Sequence, residues 1–280
     1  MARTAPVPNI PPIPGMCPSI AVMGGGGGSG PGGGAGGGAG DGSGSGDGSG
    51  NGDGAAGDVS TAPAAECTGE GHPVDVASGR MFSVQRDFSV RGTWAFNWER
   101  AYSSFARRSD GPLGHGWTHG LAWLIEETRT GLLLHDETAT KQKFPVLAVG
   151  QDHQAAYGRT LMRRAGKFTL RTDDGLWRDF EEAVGRAGWW RLACVRDKNG
   201  NRIALGYAGD RLVEITDTVG RRYRLLYDAD GRIGAVEGFN AESQGQWIAL
   251  ARYQYSEQGD LITATDAGGF SRRYEYDDRH

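Results

Sequence analysis

The sequence is poor in cysteine, with three in 280 residues: Cys17, Cys67 and Cys194. Their number is odd and no two have Cys-x-x-Cys spacing, so neither a zinc site of that type nor a full disulfide framework is indicated. For Cys17 and Cys67, a disulfide formed in an oxidising setting and two free thiols both remain open. Cys194 shares strand parity with Trp190 and Leu192, which predicts a position in the core.

Long apolar runs are also missing. The longest one near the N-terminus is Ile20-Ala-Val-Met23. A membrane helix needs about 18 apolar residues, and the apolar core of a secretory signal is longer than four. We therefore expect no membrane span and no N-terminal signal peptide.

An excess of basic charge is absent too. The chain has a formal net charge of −4. Arg3 is the one basic residue among the first 66, which carry five carboxylates, so residues 67 to 280 are balanced. Since a nucleic-acid surface usually shows a basic excess, we expect no nucleic-acid partner.

Catalytic motifs are absent from the sequence as well, including a Gly-x-Ser-x-Gly elbow and paired metal-ligand clusters. His115 and His119 are four residues apart, as in half of a zinc-protease motif. The glutamate beside the first histidine is missing and Gly116 is poor helix material, so a histidine that braces a turn is favoured over a zinc ligand. We expect no catalytic, cofactor-binding or metal site in the chain.

What the sequence has in excess is glycine, with 48 residues, of which 21 lie between Gly24 and Gly57. Ordering a residue costs about 1–2 kcal/mol, and glycine buries no side chain in return. Residues 24–68 are therefore predicted to be a flexible linker. Residues 1–23 are rich in proline, which disfavours helix. A docking peptide and an unattached tail both remain open for them.

One pattern recurs in the last third of the chain. A glycine is followed seven residues later by a tyrosine in the pairs Gly200/Tyr207, Gly220/Tyr227 and Gly269/Tyr276, and the stretch from Asn240 to Leu250 interrupts the period. Aspartate three residues before such a glycine is typical of a tight turn, and alternating tyrosines predict a strand. Each unit is thus a predicted β-hairpin that buries its tyrosine face against its neighbours. The residues assigned to the repeat are Asp217, Gly220, Tyr223, Tyr227, Asp228, Gly231, Asp266, Gly269, Tyr274, Tyr276 and Asp277.

A second distinctive region begins near Gly69. Trp94, Phe96 and Trp98 alternate, and Arg100 continues the same parity, which predicts two or three strands with an aromatic inner face. Residues 120–196 continue as short strands, with a turn or two of helix considered near residues 152–164. The predicted fold class is all-β.

Both regions resemble the Rhs family of bacterial polymorphic toxins. The glycine-tyrosine pattern resembles the YD repeat of that family, closely in two copies and loosely in the first, where Tyr207-Ala-Gly-Asp replaces the usual Tyr-Asp start. Upstream motifs, in the family's order, resemble the segment that opens the Rhs core. The residues that carry this second likeness are Pro73, Val74, Asp75, Arg100, Tyr102, Gly114, Gly116, Trp117 and His119.

The resemblance, which covers about residues 69–280, implies a fold of stacked antiparallel hairpins from an incomplete YD-repeat shell. With the composition, it predicts four parts. These are a Pro-rich segment (1–23), a Gly-rich linker (24–68), the core-opening segment (69–145), and strands that lead into the YD repeats (146–280).

The resemblance also implies a structural function. The chain is expected to be a non-catalytic part of a shell that encloses a toxin used in interbacterial competition, with any toxin enzyme downstream of residue 280. Implied partners are the downstream shell, the C-terminal toxin domain, an immunity protein, and the spike or adaptor of a secretion apparatus such as type VI. The protein would be made in the bacterial cytoplasm and exported without a signal peptide. The alternative is a cell-surface module that presents exposed tyrosine and tryptophan rings to carbohydrate or protein.

Overall fold

A computed structural model describes residues 79–240 and 245–276. The predictions for residues 1–78, including Pro73, Val74 and Asp75, and the one for Asp277 lie outside these ranges. The described residues form antiparallel strands, with one 3₁₀ turn at Ser104–Ala106, so the predicted all-β class is confirmed. The strands are β1 (Phe82–Val90), β2 (Phe96–Ser103), β3 (Asp110–Gly111), β4 (Gly114–His115), β5 (Trp117–His119), β6 (Leu124–Thr128), β7 (Gly131–His135), β8 (Lys141–Phe144), β9 (Asp152–Gln154), β10 (Thr160–Arg164), β11 (Lys167–Arg171), β12 (Trp177–Glu182), β13 (Trp189–Arg196), β14 (Arg202–Ala208), β15 (Arg211–Thr216), β16 (Arg222–Tyr227), β17 (Ile233–Asn240), β18 (Gln246–Tyr255), β19 (Leu261–Thr265) and β20 (Ser271–Arg273).

Most strands belong to one of two sheets. The opening sheet has the order β1-β2-β5, and the repeat sheet contains the 15 strands from β6 to β20. From β9 to β20 each strand pairs with the next one in the chain, as expected for consecutive hairpins. The strands β6, β7 and β8 join through β6, which pairs with the first half of β13. The strands β3 and β4 form a separate two-stranded hairpin.

A recurrent turn connects hairpin strands in the repeat sheet. In the turn Asp217–Gly220, the glycine N–H donates to the aspartate carbonyl at 3.0 Å, and the carboxylate accepts the N–H groups two and four residues later. Gly220 has φ +84°, a left-handed conformation that favours glycine. The backbone bonds recur at Asp228–Gly231 and Asp266–Gly269. Each turn is thus formed by hydrogen bonds between groups at most four residues apart, which is why the spacing of aspartate and glycine predicts it.

Two local expectations are wrong. Residues 152–164 form the strands β9 and β10 rather than helical turns, because the backbone there pairs across a hairpin. Cys194 is half-buried rather than in the core. A β-bulge between Leu192 and Cys194 reverses the strand parity, so Val195 takes the buried position instead.

One hydrophobic cluster runs through both sheets and contains Phe96 and Trp98 of the opening sheet with Tyr223 and Tyr253 of the repeat sheet. Trp98 is fully buried. Among the described residues, no helix has the length and apolar character needed to span a membrane.

Candidate functional site

Four tyrosines close the open ends of successive hairpins. The hydroxyl of each donates to a backbone carbonyl on the first strand of its own hairpin. The bonds are Tyr207 to Leu192 at 2.7 Å, Tyr227 to Leu212 at 2.8 Å, Tyr255 to Ile233 at 2.7 Å and Tyr276 to Leu261 at 2.8 Å. We call these four residues the tyrosine ladder. Burial raises the pKa of Tyr227 to about 12 and raises the pKa of the other three as well, so the hydroxyls remain donors.

Arginines lie over the first three rings of the ladder. The guanidinium carbon is 4.1 Å from the Tyr207 ring centre for Arg191, 5.3 Å from Tyr227 for Arg211, and 5.8 Å from Tyr255 for Arg232. Each arginine directly precedes the residue whose carbonyl accepts the hydroxyl. Asp260 occupies the equivalent position before Leu261. In three of the four hairpins, two consecutive residues therefore contact the tyrosine: the arginine lies over its ring, and the next residue accepts the hydrogen bond from its hydroxyl.

Tyr255 is a copy of the repeat that sequence reasoning missed. Its turn begins with Ser256 instead of aspartate, yet the hydroxyl of Ser256 accepts the N–H of Asp260 at 3.1 Å, as a turn carboxylate would. The acceptor carbonyl is 22 residues away rather than 15, because the hairpin of β17 and β18 is longer. The spacing Tyr253-x-Tyr255, which matches Tyr274-x-Tyr276, was the available signal.

The opening sheet presents a buried ion pair to the repeat sheet. Arg100 donates to Asp87 through Nε at 2.7 Å and through Nη2 at 2.9 Å, and both side chains are almost wholly buried. The hydroxyl of Tyr253 donates to the same carboxylate and accepts the indole N–H of Trp98 at 2.7 Å. Two charges and two aromatic residues thus join β1 and β2 to β18.

Arg100 also contacts the last described repeat. Its guanidinium carbon lies 4.9 Å from the Trp117 ring centre and 5.6 Å from the ring centres of Tyr253 and Tyr274. Its Nη2 donates to the Tyr274 hydroxyl at 3.2 Å. Burial alone would lower the pKa of Arg100, but the hydrogen bonds and the negative charge of Asp87 raise it, so the side chain stays charged.

Trp117 links the opening sheet to the ladder directly. Its indole N–H donates to the Tyr276 hydroxyl at 2.8 Å, and its ring meets the Tyr274 ring edge to face at 4.9 Å. Tyr102 packs beside Trp117 at 5.3 Å. Gly116 has φ +74°, and a Cβ there would lie 2.8 Å from the Tyr102 ring. Glycine at 116 therefore lets the chain pass close to that ring.

The hairpin of β3 and β4 rests on the turn between β18 and β19. The N–H of His115 donates to the carbonyl of Gly259 at 3.3 Å, and its Nε2 bonds to the carbonyl of Gln258 at 3.0 Å. Gly114 has φ +86°, and a Cβ there would overlap the Gly259 carbonyl oxygen. This glycine is needed both for its conformation and for a close approach of two backbones.

His119 is a packing residue. Its ring stacks on Trp98 at 4.9 Å, and its Nδ1 accepts the N–H of Leu121 at 3.3 Å, which braces the turn after β5. Burial lowers the pKa of His119 to about 4, so the ring is neutral at physiological pH. Among the residues described, no group of three or more His, Cys, Asp or Glu could hold a metal ion.

The predicted motif residues of the opening segment and of the repeats therefore meet. Arg100, Tyr102, Gly116, Trp117 and His119 lie at or beside the contact with the repeat sheet. The residues Asp217, Gly220, Asp228, Gly231, Asp266 and Gly269 lie in hairpin turns. We call the contact itself the junction, formed by Asp87, Trp98, Arg100, Trp117, Tyr253, Tyr274 and Tyr276.

The rings on which the alternative of a binding module depends do not form an open platform. Tyr223 is 2% exposed and packs on Phe96 at 4.6 Å. Tyr227, Tyr274 and Tyr276 are half-buried against the hydrophobic cluster. The arrangement at the junction holds two sheets together.

Comparisons with known proteins match the opening segment to a family model and most of the chain to longer proteins. A family model described as a domain of unknown function, DUF6531, matches residues 71–144. A curated relative, "Probable deoxyribonuclease RhsA" of Dickeya dadantii, is 30% identical over 222 residues, which cover 74% of this chain and 15% of that protein. "Toxin protein Tse5" of Pseudomonas aeruginosa is 26% identical over 246 residues, covering 71% and 18%. The chain thus spans less than a fifth of the length of either relative.

Among solved structures, the Tc holotoxin pore of Photorhabdus luminescens shows a distant likeness. Its TM-score is 0.47 at 9% identity, over 74% of this chain and 16% of that one.

Proposed function

The chain belongs to the Rhs family, and on that premise we propose that it is a structural segment of a shell that encloses a toxin. The observation that carries the proposal is the junction, where the opening sheet is fixed to three tyrosines of the repeat sheet by Trp98, Arg100 and Trp117. A buried contact of this kind makes the opening segment part of the same wall as the hairpins.

The unpaired edge of β20 supports the proposal that further strands extend the repeat sheet. Within the described residues, β20 pairs with β19 alone. Tyr274 donates its backbone N–H to Ile262 at 3.0 Å, and Phe270 accepts from Asp266. Because antiparallel bonds alternate along a strand, the N–H of Arg273 points away from β19. An unpaired edge is a template for a further strand, which in this proposal is the next hairpin of the shell.

We further propose that the chain itself is not catalytic. The deoxyribonuclease activity in the name of RhsA refers to a much longer protein, of which the match covers 15%. The tyrosine hydroxyls of the ladder are bound to carbonyls, and His119 stacks on Trp98. These tyrosine and histidine groups are thus engaged in structural contacts, and any toxin enzyme would lie downstream of residue 280.

Delivery is the remaining part of the proposal. The protein would be made in the bacterial cytoplasm and exported without a signal peptide, for use in interbacterial competition. The Pro-rich residues 1–23 would bind the spike or adaptor of a secretion apparatus such as type VI, and an immunity protein would protect the producing cell. Deleting residues 1–23 should abolish export and leave folding unchanged. Unaltered export would contradict the docking role.

Self-association tests the proposal that the chain is part of a longer wall. We expect the 280-residue chain to associate through unpaired edges in size-exclusion chromatography with light scattering. Arg273→Pro should reduce association, since proline removes the outward N–H. Arg273→Ala removes the same charge but keeps that N–H, and should associate like the parent. A monodisperse parent chain, or equal behaviour of the two variants, would count against the proposal.

A further inference from the structure

A small cavity lies where the opening sheet meets the turn between β7 and β8. Its volume is about 20 Å³, enough for about one water molecule. Glu99 and Arg100 of β2 line it from the opening sheet, and Glu137 and Thr138 line it from the turn. Side chains from the opening sheet and from the turn therefore line one confined space.

Most carboxylates around this cavity have an arginine of their own. The pairs are Asp87 with Arg100, Glu99 with Arg86, Asp136 with Arg159 and Asp174 with Arg178. Glu137 differs. Within the described parts of the chain, no arginine nitrogen lies within 4 Å of its carboxylate, and its Oε2 is buried without a hydrogen-bond partner. A charge on Glu137 would thus be a buried carboxylate without a matched cation.

Arg100 does not supply that cation. Its Nε and Nη2 are bound to Asp87, which neutralises the guanidinium, and its Nη1 has no hydrogen-bond partner among the residues described. When Glu137 is ionised, the cations that act on it, Arg178 and Arg159, are each paired with another carboxylate. Burying an unpaired charge is costly, whereas a neutral carboxyl in the same place costs far less.

We propose that Glu137 is a proton-controlled latch between the opening sheet and the repeat sheet. With a neutral carboxyl, the turn between β7 and β8 holds the opening sheet in place. With a carboxylate, the cost of an unpaired buried charge at the cavity favours entry of water and loosens the opening sheet.

The titration range of Glu137 supports the latch. Burial raises the pKa of Glu137 to about 7, and the charge of Asp136 adds to the rise. The charges of Arg178 and Arg159 and a backbone hydrogen bond oppose it. Because the pKa in the folded state is above the ordinary value of 4.5, the folded state binds more protons between these two values. Stability from this group is therefore greatest in acid and is lost as the pH rises to about 7.

Other charged groups near the turn do not replace Glu137 in this role. Asp136, Arg159 and Arg178 act on Glu137 from the repeat sheet, and Glu99 and Arg100 line the same cavity from the opening sheet. Arg80 donates to Thr140 of the same turn at 2.7 Å. His135 lies two residues away, and burial together with the charge of Lys141 lowers its pKa. A variant that changes Glu137 alone keeps all of these groups, so any pH dependence that they cause remains.

Hydrogen exchange of the full 280-residue chain tests the latch. Protection factors, which remove the intrinsic pH dependence of exchange, are compared at about pH 5.5 and pH 8 for peptides in β1 and β2. In the parent they should fall at least about tenfold, the factor for one pKa unit. Glu137→Gln should abolish most of that fall, because a neutral amide replaces the carboxyl. Glu257→Gln, at an exposed carboxylate in the turn between β18 and β19, should behave like the parent.

Equal pH dependence in the parent and Glu137→Gln, or none in the parent, would overturn the latch. If Glu137→Gln does not fold, carboxyl-carbon NMR of the parent decides the question. A titration midpoint of Glu137 near pH 7 supports the latch, and one near the ordinary value refutes it.

Discussion

The opening sheet and the repeat sheet both use tyrosine hydroxyls, but over very different distances along the chain. Within the repeat sheet, each ladder tyrosine bonds a carbonyl 15 or 22 residues away, inside its own hairpin. At the junction, the bonds from Trp98, Trp117 and Arg100 to tyrosines join residues 155, 159 and 174 apart. Stability of the repeat sheet is therefore distributed over similar local units, whereas attachment of the opening sheet depends on a few long-range contacts.

The two regions also differ in how they hold charge. In the repeat sheet, Asp217 is buried but accepts backbone N–H groups of its own turn as well as Arg221. At the junction, Asp87 depends on Arg100 and Tyr253. Loss of one partner should therefore be milder in a turn than at the junction.

The largest effect should come from Arg100→Met. This change leaves the buried carboxylate of Asp87 without its cation, which typically costs about 3–5 kcal/mol. Arg221→Met is the matched change in the repeat sheet. It should cost about 1 kcal/mol, because Asp217 keeps three other donors. Urea denaturation of both variants measures the difference, and equal losses would show that the two regions do not differ in this way.

A smaller difference should separate two glycines that have almost the same backbone conformation. Gly114→Ala adds a Cβ that overlaps the Gly259 carbonyl, so we expect a loss of about 2–4 kcal/mol from strain and overlap. Gly220→Ala meets no atom within 4 Å and should cost about 1–2 kcal/mol, the conformational term alone. Thermal unfolding of the pair checks this order. A milder effect at Gly114 would mean that the hairpin of β3 and β4 is not held against the turn between β18 and β19.

The smallest effects should come from single hydroxyls of the ladder. Tyr276→Phe removes the bond to the Leu261 carbonyl and the acceptor for Trp117 Nε1, so about 2 kcal/mol is expected. Tyr227→Phe removes the bond to Leu212 and should cost about 1 kcal/mol. Denaturant titration gives both values. Identical losses would indicate that the Trp117 bond adds nothing to the attachment of the opening sheet.

The repeat architecture could be predicted because its determinants are local. The turn from Asp217 to Gly220 is built by groups at most four residues apart, and such spacing is visible in a sequence. Tyr255 escaped notice because Ser256 replaces aspartate while making an equivalent hydrogen bond. The serine hydroxyl preserves the turn, so this copy of the repeat is recognisable in the structure but not from the aspartate pattern in the sequence.

The junction could be predicted only in part. The alternation of Phe96, Trp98 and Arg100 identified a buried face, but nothing in the sequence pairs that face with tyrosines more than 150 residues away. Asp87 was missed because it sits in a β-bulge between Arg86 and Phe88, which turns a charged residue inward against the strand alternation. A bulge is also the reason that the predicted core position of Cys194 was wrong. A single extra residue in a strand exchanges the buried and exposed positions that follow it, and the hydrophobic alternation of the sequence does not reveal where this happens.

Cryo-electron microscopy of the complete gene product tests the central claim most directly. We predict that residues 79–276 form a continuous part of a closed β-shell, with Arg100 on Asp87 and Tyr274, and with the outward edge of β20 paired to a following hairpin. A complete product in which these residues form a separate domain, with β20 unpaired and no enclosed volume, would contradict the account.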